Sequence, residues 1–374
     1  MVKKSSKAMD IGKFDKNMAI KKADANGLLW HMPYEKPFNL SGFYWFDQDK
    51  IYRRFPVKPE FPLPESVDGL SWCTAGGQIK FRTDSGKISL KVKLRDAGAM
   101  DHMAQTGMSG FDLYVGEPGK ETFYSVTRFP CGATEFTYEL FNCDVRKLRN
   151  FTINFPLYKG VNEVMVGLQN DAKIEEPPAY RKKKPVVFYG TSITQGGCAS
   201  RPGSCCTNIL SRRLNTPFIN LGFSGSGRGE PDVARNIALI EKPAMLVMDY
   251  EANCVDYETF EITLPEFISI LRAAHKKVPI LVVSKNRYGQ EALDSGDKHA
   301  GKETREKCKA MQRKLVKKLR KDGDKNIYFL DGSKLLGKDY WECTVDNCHP
   351  TDLGFFRMAD GIEPVIKKIL FKKK

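Results

Sequence analysis

No apolar run in this 374-residue chain approaches the roughly 20 residues that cross a bilayer as a helix. AMLVM and PILVV are the longest candidates, and each is strand-sized, so the chain does not read as an integral membrane protein and no membrane partner is expected. The start, MVKKSSKAMDIGKFDKNMA, carries positive charge but no continuous apolar segment after it. It therefore does not read as a secretory signal, and a cytoplasmic location is expected. The ten cysteines lack repeated metal-ligand spacing, and a chain of this size needs no disulfides to hold a core. They are expected to be mostly reduced. Zinc-finger, P-loop and aromatic RNA-binding signatures are also missing, although the net charge is +15.

That charge is distributed in a way that argues against nucleic acid. Lysines concentrate in RKKK (181–184), in the helix-like ETREKCKAMQRKLVKKLRK (303–321) and in the terminal FKKK. Within the second, Cys308, Met311, Leu315 and Leu319 recur at helical spacing, which leaves the charges on a solvated face. Hydrophobic residues at 41% and charged residues at 28% match a soluble globular protein long enough for two domains.

The two halves differ in pattern. Up to about residue 170, QIKFRT, KISLKVKL, FDLYVG, FTINF and NEVMVGL alternate apolar and polar residues, and TDSGK between the first two reads as a hairpin loop. This half is expected to be an all-β sandwich. DAKIEEPPAYRKKKP (171–185) suits a linker, dividing the chain into an N-terminal domain, 1–178, and a C-terminal domain, 179–374. From Pro185 onward, near-continuous apolar strands alternate with helical segments: PVVFYG, PFINLG, AMLVMDY, PILVVS and NIYFLD. That alternation implies a parallel sheet covered on both faces, with ligand chemistry at the carboxyl ends of its strands.

The loops at those ends carry a specific set of residues. Gly190-Thr191-Ser192 breaks the first strand before a helix, where Ser192 is either an exposed hydroxyl or a plain helix cap. After PFINLG comes FSGSGRGE with Gly225, after AMLVMDY comes EANC with Asn253, and VDNCHPTDLGF places Asp346 and His349 three residues apart ahead of a C-terminal helix. Singly, each has an ordinary explanation: a cap, a turn, or a position that needs φ > 0. Together, in this order, the four blocks favour catalysis. His31, His102, His275 and His299 have no comparable partners in sequence and are assigned structural roles. A zinc site at Cys343, Cys348 and His349 is disfavoured, because it lacks a fourth ligand at the usual spacing.

The set resembles the SGNH hydrolases, also called the GDSL esterase/lipase family. Gly190-Thr191-Ser192 matches the first block, Gly225 the second, Asn253 the third and Asp346-x-x-His349 the last. Two blocks depart from the pattern: Thr191 stands for the usual aspartate, and Glu251-Ala252-Asn253-Cys254 replaces G-x-N-D. Gly110-Phe111-Asp112-Leu113-Tyr114 resembles the motif of a β-sandwich domain found ahead of some of these hydrolases. The resemblance implies a flavodoxin-like three-layer α/β/α domain behind a jelly-roll-like sandwich. It also implies a Ser192, Asp346 and His349 triad, and an oxyanion hole made by the Ser192 and Gly225 N–H groups and the Asn253 amide. A serine hydroxyl needs an adjacent base, an aspartate fixes that base's tautomer, and each oxyanion donor is worth roughly 3 kcal/mol.

On this reading the chain is a serine esterase that removes small acyl groups, acetyl foremost, from a carbohydrate or other polar small molecule, with no metal or cofactor. Acyl transfer to another alcohol and a catalytically inactive glycan-binding protein are the alternatives. Residues 97–116, rich in glycine, small residues and methionine, read either as a loop reaching the cleft at the domain interface or as a mobile loop away from it.

Overall fold

The computed structural model describes residues 22–254, 256–292 and 301–371. The basic start, His299 and the last three lysines lie outside them. The first half holds ten strands: β1 (Leu28–His31), β2 (Asn39–Ser41), β3 (Gln78–Thr83), β4 (Lys87–Leu94), β5 (Asp112–Val115), β6 (Thr122–Val126), β7 (Glu135–Asn142), β8 (Arg149–Asn154), β9 (Val161–Gln169) and β10 (Ile174–Glu175). Short helices α1 (Phe46–Asp49), α2 (Glu65–Leu70) and α3 (Gln105–Met108) fill the connections. The strands form two antiparallel sheets, β1-β9-β4-β7 and β10-β3-β8-β5-β6, with β2 added beside β3. Alternation along β3, β4, β8 and β9 points Ile79, Phe81, Leu90, Val92, Phe151, Ile153, Val164 and Val166 into one shared core.

The expected β3–β4 hairpin does not form. β3 pairs with β2, β8 and β10, whereas β4 pairs with β7 and β9, so TDSGK carries the chain from one sheet to the other. Bonds to distant strands hold this crossing. The Gly86 N–H donates to Gln169 Oε1, and the Thr83 hydroxyl donates to the Lys173 carbonyl. The local turn signal was outweighed by the apolar faces of both strands, which are buried from opposite sides of the same core.

The second half alternates β11 (Val186–Gly190), α4 (Ser192–Gln195), α5 (Cys206–Leu214), β12 (Phe218–Gly222), α6 (Pro231–Ala238), β13 (Met245–Asp249), α7 (Tyr257–Ala274), β14 (Ile280–Val283), α8 (Lys302–Lys321), β15 (Ile327–Leu330) and α9 (Asp352–Leu370). All strands are parallel, in the order β12-β11-β13-β14-β15. This is a doubly wound sheet whose order reverses beside β11. Val186, Phe188, Met245 and Val247 face α5 and α9, while Val187, Tyr189, Leu246 and Met248 face α6, α7 and α8. On α8, Cys308 and Val316 are buried, with Met311, Leu315 and Leu319 packed beside them, so its lysines point outward.

The two halves share their cores. Ala75, Met103, Met108 and Leu157 join the α5/α9 layer, and Trp45, Phe55 and Val67 join the α6/α7 layer. Arg54, fully buried, donates to the carbonyls of Leu70 and Cys73 on its own side and to those of Asn220 and Gly222 at the end of β12. The segment 171–185 is fastened as well. Its β10 pairs with β3, and the Arg181 N–H donates to the Asn215 carbonyl.

Candidate active site

The register of the parallel sheet gathers the site. Gly190 at the end of β11 lies level with Gly222 of β12 and Asp249 of β13, so the three loops that follow emerge at one edge. Gly190 must be glycine: a Cβ there would sit 2.1 Å from Thr194 Oγ1 and 2.6 Å from the Asp249 carbonyl oxygen. That close approach lets the chain turn sharply into α4. Thr191 caps the turn, its hydroxyl accepting from the Ile193 N–H at 3.2 Å. The cap is thus the threonine, and Ser192 is left at the first helical position.

His349 Nε2 lies 2.8 Å from Ser192 Oγ, and His349 Nδ1 lies 2.6 Å from Asp346 Oδ2. The other oxygen of Asp346 accepts from the backbone N–H groups of His349 at 2.7 Å and Cys348 at 3.1 Å. Burial pushes the Asp346 carboxyl up, but these backbone bonds and the His349 ring outweigh it and hold the group below the usual carboxylate range. The loop is braced by the Val345 N–H donating to the His349 carbonyl and by the Thr344–Pro350 bridge. Thr351, not Asp346, caps α9.

On the other side of Ser192, Gly225 has φ +67° and nothing within 4 Å of where a Cβ would be. The Asn253 side-chain amide donates to the Phe223 carbonyl at 3.1 Å, tying its turn to the Gly225 loop and leaving a second amide hydrogen. Among the described residues, the backbone N–H groups of Ser192 and Gly225 have no protein acceptor. These donors and the serine–histidine–aspartate relay make an arrangement able to carry out acyl transfer.

Residues 183–367 match the model of the GDSL-like lipase/acylhydrolase family, and residues 28–174 match a model described as the N-terminus of Esterase_SGNH_hydro-type. The chain belongs to the GDSL-like lipase/acylhydrolase family. It is similar to a candidate GDSL-like lipase from Bacteroides ovatus ATCC 8483, with 29% identity over 92% of this chain and 99% of that one and a TM-score of 0.82. The fold is shared with salicylyl-acyltransferase SsfX3 from a tetracycline biosynthetic pathway, at 19% identity, 93% and 99% coverage and a TM-score of 0.71. It is shared also with a family two carbohydrate esterase from Clostridium thermocellum, at 16% identity, 79% and 92% coverage and a TM-score of 0.54. No curated protein matches the chain.

Thr191 and Glu251, two of the residues that depart from the family pattern, have a structural use. Thr191 supplies the cap just described. Glu251, where the family has glycine, is buried and accepts from the Lys285 N–H at 2.7 Å and from Gln312 at 2.6 Å, pinning the Asn253 turn to the segment after β14 and to α8. Gln195 plays a similar part beneath the site. Its amide donates to the Leu157 carbonyl, and its oxygen accepts from the Ser224 N–H beside Gly225. Gln195 belonged to no sequence block, and Glu251 entered one only as a departure from its pattern, so nothing local marked the contacts of either.

The assignment of His102 as structural is corrected. Residues 97–109 reach the site, and the His102 ring lies 5.7 Å from that of His349. The loop is seated by the Thr106 hydroxyl on the Ser200 carbonyl and by Gly107, whose Cα abuts the Ala199 carbonyl. The partner of His102 is 247 positions away along the chain, which is why no spacing rule found it. His275 does lie in a structural setting, buried at the end of α7, and burial pushes its ring below the usual histidine range. Burial likewise pushes the Cys198 thiol up to about 12, with the Asp346 charge adding to the effect.

Proposed function

We propose that this protein is a serine esterase that removes small acyl groups, acetyl foremost, from a carbohydrate or other polar small molecule. The observation that carries the reading is the unbroken relay of Ser192 Oγ, His349 and Asp346, with its two contacts of 2.8 and 2.6 Å. Ser192 Oγ attacks the ester carbonyl while its proton passes to His349 Nε2, and Asp346 holds the Nδ1 proton and stabilises the imidazolium. The carbonyl oxygen, now an oxyanion, takes hydrogen bonds from the Ser192 and Gly225 N–H groups and the free hydrogen of the Asn253 amide. The alcohol departs with the proton from His349. Water, deprotonated by the same ring, then releases the acyl group from Ser192 as a carboxylic acid.

A polar alcohol moiety is supported by the side chains around the relay, which include His102, the Tyr158 hydroxyl on the Ser192 carbonyl and Arg228 beside Gly225. The fold shared with a carbohydrate esterase agrees with it. The test is turnover of 4-nitrophenyl esters of increasing chain length and of acetylated sugars, with the products analysed in the presence of an added alcohol. Acetate release from sugars that exceeds turnover of long-chain esters supports the proposal. Preference for long chains overturns the small-acyl reading, transfer to the added alcohol makes the chain an acyltransferase, and no turnover of any ester leaves a glycan-binding protein.

A further inference from the structure

Three side chains with lone pairs suited to a borderline-soft cation converge at the site from three separate loops. They are His102 on the β-sandwich side, Cys198 after α4 and His349 ahead of α9, and their ligand atoms all lie within 4.8 Å of one another. Each histidine has its Nδ1 engaged by a carboxylate: His102 by Asp101 at 3.0 Å and His349 by Asp346 at 2.6 Å. With Nδ1 holding the proton, Nε2 of both rings presents its lone pair. A carboxylate behind the distal nitrogen is the arrangement that orients metal-bound histidines and raises their basicity. The backbone of Cys198 has φ +70°, following Gly196 and Gly197, and this tight turn aims the residue back toward His349. The His102 and His349 side chains remain 34% and 21% exposed, so an ion can enter from solvent.

We infer that His102 Nε2, Cys198 Sγ and His349 Nε2 form an inhibitory zinc site that shuts the active site by occupying the nitrogen facing Ser192. Bonds of about 2.0 Å to nitrogen and 2.3 Å to sulfur put tetrahedral ligand atoms roughly 3.3–3.6 Å apart, so the three groups close by about 1 Å or slightly more. Side-chain rotation supplies that movement. The thiol proton leaves to solvent as zinc binds, and the thiolate with the two supporting aspartates offsets the charge of the ion. The fourth position faces Ser192, whose hydroxyl loses its acceptor when Nε2 takes the metal. Two of the ligands lie on opposite sides of the domain boundary, so the ion also cross-links residues 97–109 to the loop before α9.

The kinetic consequence rests on His349 serving as the base, whereas the coordination itself does not, and the experiment reads both. Zinc chloride is titrated into the full chain during 4-nitrophenyl acetate hydrolysis, with chelator added at the end. Cobalt(II) is bound in parallel to the parent, Ser192→Ala, His102→Ala and Cys198→Ser proteins. The expected results are inhibition reversed by chelator, and a half-inhibiting zinc concentration raised at least about ten-fold in His102→Ala and Cys198→Ser, since loss of a mere supporting partner already costs that much affinity. A thiolate-to-cobalt charge-transfer band should appear in the parent and in inactive Ser192→Ala and be absent from Cys198→Ser. Equal zinc sensitivity of parent and His102→Ala, or no charge-transfer band in the parent, overturns the site. Should Cys198→Ser not fold, the exposed His102→Ala and the parent's band still decide. If the parent lacks esterase activity, the cobalt spectrum alone does.

Discussion

The Asp112 carboxylate accepts a hydrogen bond from the Gly203 N–H at 2.7 Å, joining the G-F-D-L-Y strand of the sandwich to the loop that follows the Ser192 turn. Asp112 is fully buried and also receives the Asn154 amide at 2.7 Å, with the Arg201 guanidinium 3.3 Å away. Arg201 in turn bonds the Tyr114 hydroxyl, so both polar residues of the motif are spent on one contact between domains. Asp112→Ala leaves these donors unpaired in a dry interface and is expected to lower stability by about 3–5 kcal/mol, as measured by denaturant unfolding. A loss below 1 kcal/mol would show that the contact is not what holds the domains together.

Ser192→Ala removes a single oxygen and leaves the Thr191 cap in place. Ester turnover is expected to fall by at least ~10³-fold, because members of a triad fail together, while circular dichroism and the unfolding midpoint stay near those of the parent. Residual turnover close to normal would place the nucleophile elsewhere.

Asn253→Ala removes the donor proposed for the oxyanion, which exists only along the reaction path. The expected effect is a decrease in kcat of roughly 10²–10³-fold with KM little changed. An effect confined to KM would reassign Asn253 to ground-state binding.

Asp249, part-buried at the end of β13, has its carboxyl pushed up to about 7 by burial, with the Glu251 charge adding to the shift. The folded state therefore keeps a proton that the unfolded chain releases near pH 4. Stability conferred by the neutral form declines as pH rises from about 4 to 7, and the full cost is present above 7. Three units correspond to about 4 kcal/mol, which solvent reaching the side chain reduces to roughly 1–2. Asp249→Asn is expected to raise the unfolding free energy by that amount at pH 8 and to leave it unchanged at pH 4. Equal gains at both values would trace the effect to packing instead of charge.

Gly107→Ala tests what the 97–109 loop contributes, because its Cβ would lie 1.9 Å from the Ala199 carbonyl oxygen and must lift the loop from its seat. The ranking of acetylated substrates is expected to change while 4-nitrophenyl acetate, which needs only the relay and the oxyanion donors, is still hydrolysed. An unchanged ranking in a folded variant would mean that the loop does not contact the alcohol moiety.

Local chemistry was enough for some of this. The strands from β11 to β15 and the helices between them follow from apolar runs of strand length and helical spacing. Gly190-Thr191-Ser192, Gly225, Asn253 and Asp346-x-x-His349 stood out because each is a small or polar interruption at an element's end. Their order along the chain supported a shared site before any contact was known. Tertiary structure decided the rest. TDSGK looks like a hairpin because a turn is encoded in five residues, but which sheet each flanking strand joins depends on the core that both must cover. The registers that set Gly190 level with Gly222 and Asp249 arise from pairing between distant strands, and no periodicity encodes them. His102 stands in no motif, and although Asp112 and Glu251 lie in recognisable blocks, nothing around any of the three in sequence names its partner. Their roles exist only because the packing of two domains and three layers brings them against His349, Lys285 and Gly203, and such partners are chosen by the shared burial of surfaces far apart in sequence.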